Sequence, residues 1–211
     1  MWSVSAAVFD LDGTLVDTIG DITTHLNDSL ASRGLPTHPR AQIIRWIGHG
    51  ADYLVRSAVP EASLAPAVLA EYRERYSARP VVAAQLYPGL EAALDVIARR
   101  CKLAVLSNKP QESTTGVAAL LLTRWPFVVI VGQRSDHPRK PEAAAALEVL
   151  RELGCPPGDS VMIGDSDVDI ATARNAGMRS IGVAWGFRGA EGLADADQLV
   201  HTPAELAALF Q

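Results

Sequence analysis

At 211 residues, 48% of them apolar and 20% charged, the chain matches one globular domain with a modest insertion, which excludes disorder, collagen-like repeats and charged tails. A formal charge of -5 without any Lys/Arg block excludes broad adhesion to nucleic acid or anionic lipid, so an anionic ligand must meet locally placed cations. Apolar runs such as 103–106 and 127–131 are strand-sized, far below the ~20 residues of a membrane span; no membrane partner is expected.

In chain order, β-rich runs at 6–12, 103–108, 127–132, 160–165 and 180–185 precede helix-length segments, which predicts a parallel α/β sheet of Rossmann-like type flanked by helices. Leu90, Leu94 and Ile97 fall at helical spacing, as do Ala143, Leu147, Leu150 and Leu153, the second set closed by Gly154. The interval 17–80 breaks the rhythm. It holds only helix-like stretches punctuated at Gly34 and Gly48–Gly50, and predicts an all-helical inserted domain within a core of 1–16 and 81–211. No export signal is visible before Asp12, and Cys101 and Cys155 lack metal or disulfide spacing, so a reducing cytoplasm is expected.

Loops at the carboxyl ends of parallel strands build the ligand crevice. Those ends read Asp10-Leu11-Asp12-Gly13-Thr14, Ser107-Asn108-Lys109, Arg139-Lys140-Pro141 and Gly164-Asp165-Ser166-Asp167-Val168-Asp169. Asp10 and Asp12 share a side if the backbone stays extended, and Asp169 lies one helical turn past Asp165 if a helix starts near Ser166. Four converging carboxylates repel and call for a cation. An all-oxygen donor set favours magnesium over zinc.

The segment Asp10 to Thr18 resembles the opening motif of the haloacid dehalogenase superfamily of aspartate-nucleophile phosphatases, and the other three segments match its remaining motifs in order along essentially the whole chain. The resemblance implies that Asp10 attacks phosphorus, that Asp12 serves as general acid and then base, and that Lys140 steadies the transferring charge. It implies a Mg2+ site of Asp10, Asp12, Asp165 and Asp169, with Asp12 contributing its backbone carbonyl and Asp169 acting through a metal-bound water. Ser107, Asn108, Lys140 and Thr14 are the implied phosphate-binding residues, with Asn108 orienting a neighbour or donating to substrate and Thr14 hydrogen-bonding near the nucleophile. The helical insertion 17–80 becomes a cap that closes over the core.

Trp46 to Leu54, Tyr87-Pro88-Gly89, Leu106 to Pro110 and Gly164-Asp165-Ser166 further resemble the bacterial phosphoglycolate phosphatases, which implies a small phosphate ester such as 2-phosphoglycolate as substrate. The segment after Lys140-Pro141 departs from that subgroup, reading Glu142-Ala143-Ala144 without the usual proline. Arg45 or Arg56 is the expected cap partner for a substrate carboxylate. A phosphosugar mutase shares the core motifs, and a phospho-aspartate signalling receiver shares an acidic cluster, a lysine and a parallel sheet. Paired aspartates with the acceptor first, and the long insertion, argue against the receiver, and no motif is lost that would indicate a catalytically silent protein. A monomer or homodimer is expected. Asp17 and Thr18 are read as residues that start the insertion's first helix, Asp167 as a solvated first-turn acid, Trp46 as interhelical packing, and the five histidines as surface or loop groups.

Overall fold

The computed structural model describes residues 4–135 and 137–211, so residues 1–3 of the expected core segment lie outside the described residues. The chain opens with β1 (Ala6–Phe9) and a tight turn into β2 (Val16–Asp17). Four helices follow: α1 (Ile19–Ala31), α2 (Arg40–Ile44), α3 (Ala51–Ala58) and α4 (Ala65–Ala78). β3 (Gln85–Leu86) then pairs antiparallel with β2, so the two strands that leave and re-enter the core form one small ribbon. The remainder alternates: α5 (Leu90–Ile97), β4 (Lys102–Pro110), α6 (Gln111–Leu121), β5 (Phe127–Gln133), α7 (Ala143–Leu153), β6 (Ser160–Gly164), α8 (Asp167–Ala176), β7 (Arg179–Val183), β8 (Gln198–Val200) and α9 (Pro203–Ala208).

Six strands pair in parallel in the order β5-β4-β1-β6-β7-β8. β1 has no exposed residue: Ala7 and Phe9 enter one apolar layer, Ala6 and Val8 the other, as the two-residue period of a strand requires. β4 repeats the pattern, with Leu103 and Val105 opposite Ala104 and Leu106. Strand order reverses beside β1, where the chain passes from β5 back to β6, and a parallel sheet opens its crevice at such a reversal.

Two sequence expectations change. The buried face of α7 is Ala145, Ala146, Val149, Leu150 and Leu153, whereas Leu147 stands 42% exposed, because the helix turns its 146–149–150–153 stripe to the sheet. β8 carries no sequence signal, since its three residues begin with a polar one and carry no apolar run. Among the described residues no helix is long and apolar enough to cross a membrane.

The return from the insertion is pinned by Asp21, a buried first-turn residue of α1. Its carboxylate accepts the backbone N–H groups of Val82, Ala83 and Ala84 at 2.9, 2.8 and 3.2 Å. Removing it orphans the buried Ala84 N–H, a loss of about 1–3 kcal/mol, and frees the Val82 and Ala83 donors, which lie on exposed residues, to meet water. Asp21→Ala is therefore expected to lower stability by about 1–3 kcal/mol, read as a lower midpoint in urea at unchanged slope. His25, one turn on, is also buried rather than at the surface: its Nε2 meets the Arg79 carbonyl at 3.0 Å, its ring lies 4.8 Å from Tyr76, and burial pushes its pKa down. Trp46 packs edge-on against His38, with ring centroids 5.0 Å apart.

Candidate active site

β1 ends at Phe9, and the next residue delivers the first carboxylate to the crevice. The Asp10 N–H bonds the Ile163 carbonyl of β6, which fixes its backbone to the neighbouring strand. Asp10 Oδ1 accepts both the Leu11 N–H at 2.7 Å and the Lys140 ammonium at 2.9 Å. Oδ2 is thus the oxygen left for chemistry. Gly13 then turns the chain with φ +86, and a Cβ there would land on the Asp165 carboxylate, so no side chain fits.

Asp165 leaves the end of β6 and is oriented on both oxygens: Thr14 donates to Oδ1 at 3.2 Å and the Phe187 N–H to Oδ2 at 3.1 Å. Asp169 is wholly buried in the first turn of α8. Its Oδ2 accepts the Ser166 N–H and hydroxyl at 3.2 and 2.6 Å, a reciprocal cap, and its Oδ1 accepts Lys140 at 2.6 Å. Lys140 therefore bridges Asp10 and Asp169, and Asp167 points to solvent as expected.

Burial dominates the electrostatics. It pushes Asp10 up to about 6, with Lys140 pulling against it and Asp169 and Asp12 adding to the rise. Burial, followed by the Asp10 and Asp169 charges, pushes Asp165 up to about 8. Burial alone would lower the Lys140 ammonium, but the Asp10 and Asp169 carboxylates hold it above its ordinary value. Asp10, Asp165 and Asp169 each offer a carboxylate oxygen, all within 4.8 Å of one another. Buried, crowded, oxygen-only donors fit a hard divalent cation such as magnesium.

Asp12 stands apart from that cluster. The Thr18 hydroxyl donates to its Oδ1 at 2.7 Å, and the Lys109 ammonium reaches both oxygens at 3.1 and 3.2 Å. Thr18 occupies the N-cap position of α1 but makes no cap hydrogen bond, because its hydroxyl is turned to Asp12. Sequence reasoning missed both partners. The available signal was Lys109 itself, two residues after Ser107 at the end of a buried strand and so on the same side of the chain.

Asp10, Asp12, Ser107, Asn108 and Asp165 line one cavity, roofed from the insertion by Ile44, Ile47, Gly48, Gly50, Leu54 and Tyr72. Ser107 accepts the Lys109 N–H at 3.3 Å, which leaves its own O–H to donate. Two expected phosphate-binding residues sit otherwise. The Thr14 hydroxyl faces Asp165, outside the cavity lining. The Asn108 amide clamps the Lys140 backbone on both sides, accepting from its N–H and donating to its carbonyl at 3.0 Å each, and also donates to the Gly48 carbonyl at 2.9 Å. With both amide hydrogens engaged, Asn108 orients its neighbours.

The cationic cap partner is also corrected. Arg56 pairs with Asp52 at 2.7 Å on an exposed face of α3, and Arg45 is exposed; neither lines the cavity. Among the described residues the cations that do are Lys109, in β4, and Arg188, in the loop after β7. One Arg188 nitrogen donates to the Ile44 and Ile47 carbonyls at 3.2 and 2.7 Å, tying the loop after β7 to the end of α2 and the turn that follows it.

Residues 7–183 match the family model of the haloacid dehalogenase-like hydrolases. The phosphoglycolate phosphatase of Rhodospirillum rubrum is 33% identical over 193 residues, covering 86% of this chain and 80% of the relative. A plasmid-borne phosphoglycolate phosphatase of Cupriavidus necator is 34% identical, covering 98% and 93%. The crystal structure of a predicted phosphoglycolate phosphatase from Haemophilus somnus superposes with a TM-score of 0.90 at 25% identity, over all of both chains. With the motifs, the fold and these matches in agreement, the chain belongs to the haloacid dehalogenase-like hydrolases, in the subgroup resembling phosphoglycolate phosphatases.

Proposed function

We propose that the protein is a magnesium-dependent phosphomonoesterase that works through an aspartyl-phosphate on Asp10 and takes 2-phosphoglycolate or a similarly small phosphorylated metabolite. The observation that carries this reading is the division of labour between two neighbouring carboxylates. Asp10 is bound to a buried lysine and the metal-type cluster, whereas Asp12, in the same cavity, is held by a separate lysine and a threonine. Two carboxylates in unlike surroundings suit a nucleophile beside a proton carrier.

In the first half-reaction Asp10 Oδ2 forms a bond to phosphorus, the bond to the leaving oxygen breaks, and that oxygen takes a proton through Asp12 once Asp12 has turned from Lys109. In the second, Asp12 takes a proton from water as the water oxygen bonds to phosphorus and Asp10 is released. Ser107, which lines the cavity, supplies a hydroxyl donor for the phosphoryl oxygens, while Lys140, held by Asp10 and Asp169 outside that lining, offsets negative charge beside them. Magnesium, when held by Asp10 and Asp165 with Asp169 behind them, offsets the negative charge of carboxylates and phosphoryl group together. Residues 17–80 act as the cap: Gly48 and Gly50 bring backbone against the small cavity, while Ile47, Leu54 and Tyr72 exclude water.

A metal-dependent screen of small phosphate esters, ranked by kcat/KM with release of inorganic phosphate as the readout, tests the reading. Phosphoglycolate is expected at or near the top. A rank near the bottom, or isomer formation without phosphate release, would overturn it.

A further inference from the structure

Lys109 is a buried cation that the chemistry of phosphoryl transfer leaves without a task. Its side chain is 3% exposed, it touches both oxygens of Asp12, and its ammonium lies 4.0 Å over the ring of Tyr76 on α4. A buried ammonium needs a counter-ion. To reach the leaving oxygen, Asp12 must turn out of this pairing, and Lys109 then needs another negative group at the same place.

We propose that Lys109 is the specificity-determining residue that receives the substrate's carboxylate in exchange for Asp12. The proposal rests on the phosphoglycolate reading above. In that ester the carboxylate carbon is attached to the methylene that bears the leaving oxygen, so when the leaving oxygen lies beside Asp12 its carboxylate lies within reach of the group that had held Asp12. The rest of the leaving-group wall offers little competition: Ile22, Ile47, Leu54 and Tyr72 are apolar or, for the tyrosine, held neutral by burial. The other lining cation, Arg188, directs a nitrogen to the Ile44 and Ile47 carbonyls. A neutral alcohol leaving group gives Lys109 nothing in return for Asp12, which makes the exchange a source of selectivity as well as of binding. Because Lys109 also stacks on Tyr76, the cap is held against the group that reads the substrate.

The test compares kcat/KM for 2-phosphoglycolate and ethyl phosphate in the wild type, Lys109→Met and Lys109→Arg, with magnesium present. The wild type is expected to prefer phosphoglycolate. Lys109→Met is expected to lose about 10- to 100-fold more on phosphoglycolate than on ethyl phosphate, the worth of one charge-assisted hydrogen bond, while Lys109→Arg keeps most of the preference. Lys109→Gln gives the same comparison should the Met variant be insoluble. A purely structural Lys109 would lower both substrates equally, and equal losses from a wild type that does prefer phosphoglycolate overturn the role of Lys109 alone. A selective loss in Arg188→Met with none in Lys109→Met moves the carboxylate to Arg188 and also overturns it. A wild type without preference overturns the substrate reading and, with it, this proposal.

Discussion

Asp10→Asn is expected to cut turnover of a phosphate ester by about 10⁴-fold or more, with the fold intact. The substitution keeps an oxygen for the Leu11 N–H and for Lys140, both of which approach Oδ1, but removes the charge and lone pairs that Oδ2 would bring to phosphorus. Stability should not fall with activity. Asp10 is pushed up to about 6 by burial and by its acidic neighbours, so a neutral amide there relieves repulsion that the native carboxylate imposes. A metal-free Asp10→Asn protein that melts at or above the wild-type temperature near pH 8, and is inactive with magnesium, meets this expectation. Activity within tenfold of wild type, or a collapsed fold, does not.

The same cluster sets the second large effect, the dependence of stability on pH and metal. Asp10 and Asp165 rise from 3.8 to about 6 and about 8 in the folded, metal-free protein. The folded state therefore holds protons that the unfolded chain releases. The stabilising contribution is complete below about pH 4 and is lost as pH climbs through about 6 and then about 8. Without metal, these two groups should cost on the order of a few kcal/mol between pH 5 and 8.5, or several degrees in Tm for a chain of this size. Magnesium binds the ionised form and adds stability by mass action. The gain in Tm from millimolar magnesium over EDTA should accordingly be larger at pH 8 than at pH 5.5. An equal gain at both, or a larger one in acid, contradicts the assignment of the cluster as the metal site.

What the sequence reveals of this molecule follows from how locally each feature is written. The strands β1, β4 and β6 are short apolar runs that end in chemistry-bearing residues, so both the sheet and the placement of Asp10, Ser107 and Asp165 at its carboxyl edge can be read directly. α8 announces itself through Ser166 and Asp169, which form a reciprocal cap within one turn. Pairings across the chain leave no such trace. Asp12 and Lys109 are 97 residues apart, and Asp21 meets Val82, Ala83 and Ala84 more than 60 residues away. Thr14 and Asn108 show a different limit: sequence placed them in the right neighbourhood, but their donors are committed to Asp165, Lys140 and Gly48. Motif position identifies who is present; hydrogen-bond saturation decides who remains able to touch a substrate.

The central claim is that the phosphoryl group passes onto the side chain of residue 10. Rapid quenching during steady turnover of a good substrate with magnesium, followed by borohydride reduction and peptide mass spectrometry, addresses it directly, because the reagent converts an acyl phosphate to an alcohol and leaves free carboxylates alone. The account predicts homoserine at position 10, accumulating with substrate and absent without it, while Asp12, Asp165 and Asp169 stay unreduced. Reduction at one of those residues instead, or an unmodified Asp10 throughout turnover, would contradict it.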